Sequence, residues 1–342
     1  MHSDSIQAQG DTADSNRPKA ARLLAALAVG VVVLLGLFAL ADLETLASSL
    51  RSMNAALLAL ALLGFVAGTT LRAYRFKLLA SSEVDAPLRP FFRVTATHQL
   101  LLMLLPFRAG ELSYPVLLRQ QLQRPIARGA GDLVVARLLD LVLCGACLGF
   151  GLLALPAEGP NANLLTVMSA VVMGLGALGL ALLPKLVRAG RLTLVRWRQR
   201  SSVSRFHAVD KFLFELDSSI DSMGWRLLAG ALAVTALAAA AAIVRIYLMF
   251  AAFQTDLGLL GATFLFATAN LIGLIPLHGF GGLGPKQMGI AGALVLLGLG
   301  SGVAASLTLL FQASVVLFVA LVALLGFGLR MPAREVHSGE SA

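Results

Sequence analysis

The chain has 342 residues, of which 58% are hydrophobic and only 13% charged, with a formal net charge of +9 at pH 7. An ordinary soluble domain carries roughly 25% charged residues, so this composition excludes one. The positive balance fits the Lys and Arg that gather in cytoplasmic loops of membrane proteins. No nucleic-acid recognition module accompanies it, so nucleic acid is not expected as a partner.

Six stretches lack Asp, Glu, Lys and Arg: Leu23–Ala41, Asn54–Leu71, Gly159–Pro184, Leu227–Val244, Leu257–Pro285 and Gln287–Leu329. A helix needs about 20 apolar residues to cross the hydrocarbon. Membrane strands would alternate in segments of about ten residues, and these blocks do not alternate. The expected fold is therefore an all-α polytopic membrane protein, because lipid cannot satisfy open backbone groups.

Residues 1–20 are polar and read as a disordered cytoplasmic tail. The apolar block after them is longer than the 7–15 residues of a signal-peptide core, so Leu23–Ala41 reads as a retained first span. Arg17, Lys19 and Arg22 precede it, which places the N-terminus in the cytoplasm. The second span returns to a basic cluster, Arg72, Arg75 and Lys77. Val94–Phe107 follows, with only 14 uncharged residues and basic residues at both ends. A re-entrant segment turning at Pro106 explains this stretch better than a crossing.

Leu138–Ala157 crosses outward, and the next span returns near Pro184. The most basic segment comes next, running from Lys185 to Lys211, and it is placed in the cytoplasm. Residues 185–225 thus form a basic cytoplasmic loop. Within it Phe206, Val209, Leu213, Leu216, Ile220 and Met223 recur at helical spacing. They predict an amphipathic helix, either on the inner membrane surface or packed under the bundle. Leu227 onward crosses again. Leu257–Gly300 reads as a second re-entrant pair, broken at Gly279–Pro285, and Val303–Leu329 is the last span. Six full spans and two re-entrant hairpins result, with residues 21–330 as the transmembrane domain and 331–342 as a cytoplasmic tail.

The two halves echo each other. Arg72-Ala-Tyr74 is followed 34 residues after its Arg by Pro106, and Arg245-Ile-Tyr247 is followed after 31 by Pro276. Thr97-His-Gln-Leu and Thr268-Ala-Asn-Leu lie between in the same order. The topology sets these copies in opposite orientations. Inverted repeats with Gly/Pro-interrupted segments at matching positions are a recurring transporter plan and point to a binding site. Here those segments are Pro106–Pro115 and Pro276–Pro285.

Ionisable side chains within membrane segments cost at least ~2.5–3.5 kcal/mol and need a partner, a wet cavity or a task. Arg108 and Glu111, three apart beside Pro106 and Gly110, either pair to pin the turn or bind a lipid headgroup. Arg245 lies 18 uncharged residues after Arg226; it either snorkels outward or draws an anionic headgroup. Arg72 is either an interface anchor or part of the same path. Arg137 and Asp140, three apart, are expected to pair. His278 either supports the scaffold or titrates. Gly279, Gly281, Gly282 and Gly284 either pack helices closely or expose loop amides to a phosphate, with Lys286 supplying charge. Cys144 and Cys147 have C-x-x-C spacing in an apolar stretch; packing is expected rather than redox chemistry. No metal cluster, cofactor motif or hydrolytic triad is visible, and no catalytic residue is expected.

At these residues the chain resembles a known family. Leu71-Arg-Ala-Tyr-Arg-Phe-Lys-Leu-Leu79, Leu105-Pro-Phe-Arg-Ala-Gly-Glu-Leu112, Ala136-Arg-Leu-Leu-Asp140 and Pro276-Leu-His-Gly-Phe-Gly-Gly-Leu-Gly284 look like the flippase-like transmembrane domain of lysylphosphatidylglycerol synthases and its stand-alone bacterial relatives. The resemblance runs from about Leu23 to Arg330. It implies translocation of a polar or anionic lipid in a bacterial inner membrane. The other readings are an accessory protein that meets a lipid-biosynthesis enzyme through the basic loop, and an embedded headgroup transferase. The chain departs from the family in having Ala136 and then Lys286 and Gln287 where the family often has acidic residues. The soluble aminoacyl-transferase domain of the lysyl-lipid synthases is not among these residues, so the chain is not expected to make lysyl-lipid. Oligomeric state is left open.

Overall fold

A computed structural model describes residues 31–81, 86–105, 109–155, 162–198, 205–221, 223–273 and 284–329. Among them all regular structure is helical. The helices are α1 (Val31–Leu40), α2 (Leu43–Arg51), α3 (Ala55–Ala80), α4 (Leu88–Leu104), α5 (Ser113–Leu122) and α6 (Ile126–Gly151), followed by α7 (Ala162–Arg198), α8 (Arg205–Asp221), α9 (Trp225–Ala252), α10 (Gly258–Ile272), α11 (Pro285–Leu296) and α12 (Ser301–Gly328). Short 3₁₀ turns cover Ala109–Leu112 and Leu152–Ala154.

Among the described residues, five helices are long and apolar enough to cross a membrane: α3, α6, α7, α9 and α12. A sixth is reached if α1 and α2, bent by 89° at their junction, count as one. Asp42 makes that junction, and its carboxylate accepts from the Glu44 amide at 3.0 Å and from the Thr45 hydroxyl at 2.5 Å, capping α2. The chain is thus a multi-pass helical membrane protein.

Several boundaries differ from the sequence reading. The helix that crosses next starts at Ile126 rather than Leu138, so it carries Asp132 and Arg137 inside it as well as Asp140. The sequence expectation left Asp132 and Arg137 outside the span, but each has a charged partner in the bundle that makes its burial tolerable. α7 runs through Pro184 to Arg198. α4 begins at Leu88, before the basic residues Arg89 and Arg93. Arg93 lies over the Phe327 ring of α12 at 5.9 Å.

α3 and α9 are antiparallel and closely packed. Their shared end is tied by the Asn54 amide donating to Ala252 O at 2.9 Å and by Gln254 Nε2 donating to Ser52 O at 3.1 Å. Small residues make the approach possible: Gly64 and Gly68 on α3 face Arg245 Cβ and Ala241 Cβ of α9. Close backbone approach of this kind drives helix association where lipid gives no hydrophobic gain. The short helices form two pairs, α4 with α5 and α10 with α11, and both pairs pack into the bundle. Aromatic contacts fill the centre, including Phe65–Phe318 at 5.9 Å and Phe250–Phe311 at 5.7 Å between ring centroids.

α8 settles between the two placements expected of it. Met223, just beyond α8, and Ile220 are buried, and Leu216 meets α6 beside Gly131. Val209, Phe212 and Phe214 stay exposed. One stretch packs under the bundle and the other presents apolar side chains outward.

A cationic cavity within the helix bundle

A cavity of about 350 Å³ opens between α3, α4, α6, α9, α10, α11 and α12. Among the described residues, five cationic side chains line it, Arg72, Arg75, Arg137, Arg245 and Lys286, with two carboxylates, Glu111 and Asp140. Neutral polar groups complete the wall, among them His98, Gln99, Asn270 and Gln312.

The two carboxylates are engaged. Arg137 Nη2 lies 2.9 Å from both Glu111 oxygens, and its Nε reaches Oε2 at 3.3 Å. Asp140 receives Arg75, with Nη1 at 2.5 Å from Oδ1 and Nη2 at 3.4 Å from Oδ2, while Arg137 Nη1 is 3.5 Å from Oδ2. Arg75 also donates to Thr235 Oγ1 on α9 at 3.2 Å. The chain Glu111–Arg137–Asp140–Arg75 thus links the turn before α5 to α6 and α3.

The other three cations have no carboxylate within ion-pair distance among the described residues. Arg245 stacks over the Phe65 ring at 5.2 Å and approaches Met249 Sδ at 3.8 Å. Arg72, Arg245 and Lys286 are within electrostatic reach of one another, and Arg72 is also within reach of Asp140. Arg245 lies seven residues from the end of α9, ~10 Å along the axis, so it is interior to its span.

Local sequence explains how these groups are held. α11 starts with Pro285, a residue suited to the first helical position, which sets Lys286 in the first turn. Gln287, 1% exposed, accepts from the Gly284 amide at 2.8 Å and donates to Gln312 Oε1 at 2.9 Å, joining α11 to α12. Gly110 sits against α4, where an added Cβ would lie 2.6 Å from Leu102 Cα and 2.7 Å from Leu101 O. Ser113 Oγ donates to Gly110 O at 2.6 Å, so it accepts from His98 Nδ1 at 2.9 Å. That assigns the proton to Nδ1 and leaves Nε2 as an acceptor; Nε2 has no partner among the described residues.

Of the residues singled out from the sequence, Arg72, Glu111, Arg137, Asp140, Arg245 and Lys286 meet on this cavity. Glu111 pairs with Arg137, 26 residues on. Arg137 and Asp140 do contact, but each has a closer partner elsewhere. Pro106, Arg108, Pro276, His278, Gly279, Gly281 and Gly282 lie outside the described residues. Gly284 has extended backbone that does not itself demand glycine. Cys144 and Cys147 are free thiols, and Cys144 Sγ donates to Ala267 O of α10 at 3.3 Å. Arg75, which in the sequence is one member of a basic cluster, and His98, which is part of a repeat fragment, line the cavity without having been expected there. The i, i+3 spacing of Arg72 and Arg75 was the available signal, since it sets both on one helix face.

A polytopic helical membrane protein with a charged cavity among its helices is the class these features define. The sequence model described as "Lysylphosphatidylglycerol synthase TM region" matches residues 23–323. The chain belongs to that family. No curated protein and no solved structure gave a significant match.

Proposed function

We propose that this protein moves a polar lipid between membrane leaflets, with the headgroup passing through the cationic cavity and the acyl chains left in lipid. The carrying observation is the cavity itself: about 350 Å³ of space at the centre of the bundle, lined by five cations and two carboxylates. Charges in membrane segments are expensive and mark substrate paths. The volume lies near the low end of the ~300–1,000 Å³ typical of small-ligand sites, which suits a headgroup. Family membership supports a role in lipid handling. The short helix pairs α4–α5 and α10–α11, read as two re-entrant hairpins in inverted repeat, would supply the moving elements of an alternating-access carrier.

The excess of cations favours an anionic headgroup, since an Arg fork offers a phosphate two parallel hydrogen bonds. The proposed setting is the bacterial inner membrane with both termini cytoplasmic, following the distribution of Lys and Arg. The reading is of a carrier rather than a transferase, so turnover of lipid to a new chemical species is not expected.

The test is a reconstitution. Purified protein is placed in liposomes holding fluorescent anionic, zwitterionic and polyprenyl lipids, and an impermeant quencher reports the accessible fraction with time. Wild type should expose inner-leaflet label of at least one lipid faster than empty vesicles, and Arg245→Gln should slow it at least about tenfold. Rates equal to those of empty vesicles across the panel, with protein shown folded, would remove transport of these lipids as the function.

A further inference from the structure

We infer that the cavity is a charge filter, with Arg72, Arg245 and Lys286 as its anion subsite, which accepts lipids with a net-negative phosphate headgroup and rejects aminoacylated, net-cationic ones. This rests on the proposed passage of a headgroup through the cavity and adds which headgroups enter.

The charges on the cavity are unequally paired. Each carboxylate on the cavity is occupied on both oxygens: Glu111 by Arg137, and Asp140 by Arg75 and Arg137. An ammonium entering with an aminoacyl headgroup therefore meets no free acid. It meets three cations instead. An unpaired ammonium in such a setting is strongly unfavourable. A phosphate meets the opposite situation. Arg72, Arg245 and Lys286 come from three different helices, α3, α9 and α11, so they can enclose an anion rather than flank it. Arg245 is oriented by the Phe65 ring beneath it. Lys286 stands in the first turn of α11, where the helix dipole adds to its charge.

Lys286 is the residue through which selectivity is most easily altered. Its helix is anchored independently by the Gln287–Gln312 bond, and its side chain supports no ion pair among the described residues. Lys286→Glu exchanges a cation for an acid and supplies the free carboxylate that the native cavity lacks.

The experiment measures binding of phosphatidylglycerol and of its lysyl ester to the full-length protein in detergent, by competition for a labelled phosphatidylglycerol. Wild type should prefer phosphatidylglycerol by about tenfold or more, the Lys286→Glu variant should lose or invert that preference, and Lys286→Gln should fall between. Arg245→Gln should lower phosphatidylglycerol affinity with little effect on the lysyl ester. Glycerol 3-phosphate at equal concentration should not displace the lipid. Equal or tighter binding of the lysyl ester by wild type overturns the filter, as does an unchanged ratio in folded Lys286→Glu. If Lys286→Glu does not fold, Lys286→Gln and Arg245→Gln read the same ratio. Displacement by glycerol 3-phosphate overturns lipid as the source of the phosphate. The binding ratio is independent of flux, so a protein that shows the preference but moves neither lipid in liposomes retains the filter and loses the transport reading.

Discussion

Arg137 holds Glu111 in a two-oxygen ion pair across 26 residues of chain, with one guanidinium nitrogen 2.9 Å from each carboxylate oxygen. The pair ties the 3₁₀ turn before α5 to the middle of α6, and Arg137 extends the link to Asp140. Removing either partner should loosen that turn. The Arg137 and Glu111 side chains are 40% and 21% exposed, so solvent moderates the interaction. A double-mutant cycle of Glu111→Gln and Arg137→Gln, read by thermal unfolding in detergent, should give a coupling of about 1 kcal/mol. Additive effects would mean the contact contributes nothing.

A second ion pair offers a contrast. Arg124 Nη2 and Asp132 Oδ1 are 3.0 Å apart, with side-chain exposures of 1% and 0%. Arg124 also reaches Ala80 O at 3.4 Å. Neither residue lines the cavity. Asp132→Asn should destabilise the protein by roughly 3–5 kcal/mol, because it removes one charge of a fully buried ion pair. Preference among lipids should not change in whatever fraction folds. Lipid binding ratios alongside unfolding curves check both halves.

Gly110 is set by space. A methyl group there would press on the Leu101 and Leu102 backbone at 2.6–2.8 Å, and backbone cannot yield as a side chain can. Gly110→Ala should cost about 1–3 kcal/mol or more and should weaken lipid binding by displacing Glu111. Gly230→Ala, with nothing within 4 Å, should be neutral or slightly stabilising, since alanine favours the helix. Melting temperatures of the two variants side by side decide the matter.

The thiols are expected to be inert. Cys144 is 4% exposed and its hydrogen bond to Ala267 O helps seat α10 on α6. A Cys144→Ala, Cys147→Ala double variant should keep flux and binding within about twofold of wild type, and wild-type flux should be indifferent to reductant. A dependence on dithiothreitol would reopen a redox role for the C-x-x-C pair.

Hydropathy is a property of neighbouring residues, so the membrane-spanning helices were legible in the sequence. The uncharged runs correspond to α3, α7, α9 and α12, and the spacing of Phe206 to Met223 anticipated α8. The charged ends of helices were harder to place. Glu111, Arg137 and Asp140 could be picked out as costly residues in apolar surroundings, and Arg72, Arg245 and Lys286 likewise, but their grouping could not be read. Local spacing suggested Arg137 with Asp140, and the two do contact at 3.5 Å. Spacing gave no sign that Glu111 also reaches Arg137 or that Asp140 reaches Arg75, 65 residues away.

Sequence alone therefore determined the class of protein, the length and type of its elements and the residues too costly to bury without purpose, because each follows from local composition and helical period. Tertiary structure decided which charges neutralise each other and which are left over. That depends on how each helix is rotated and how closely glycines such as Gly64 and Gly110 let the backbones approach. An ion pair forms across a few ångströms of space, whatever the separation along the chain, and the surplus of three cations on one cavity exists only once the helices are packed.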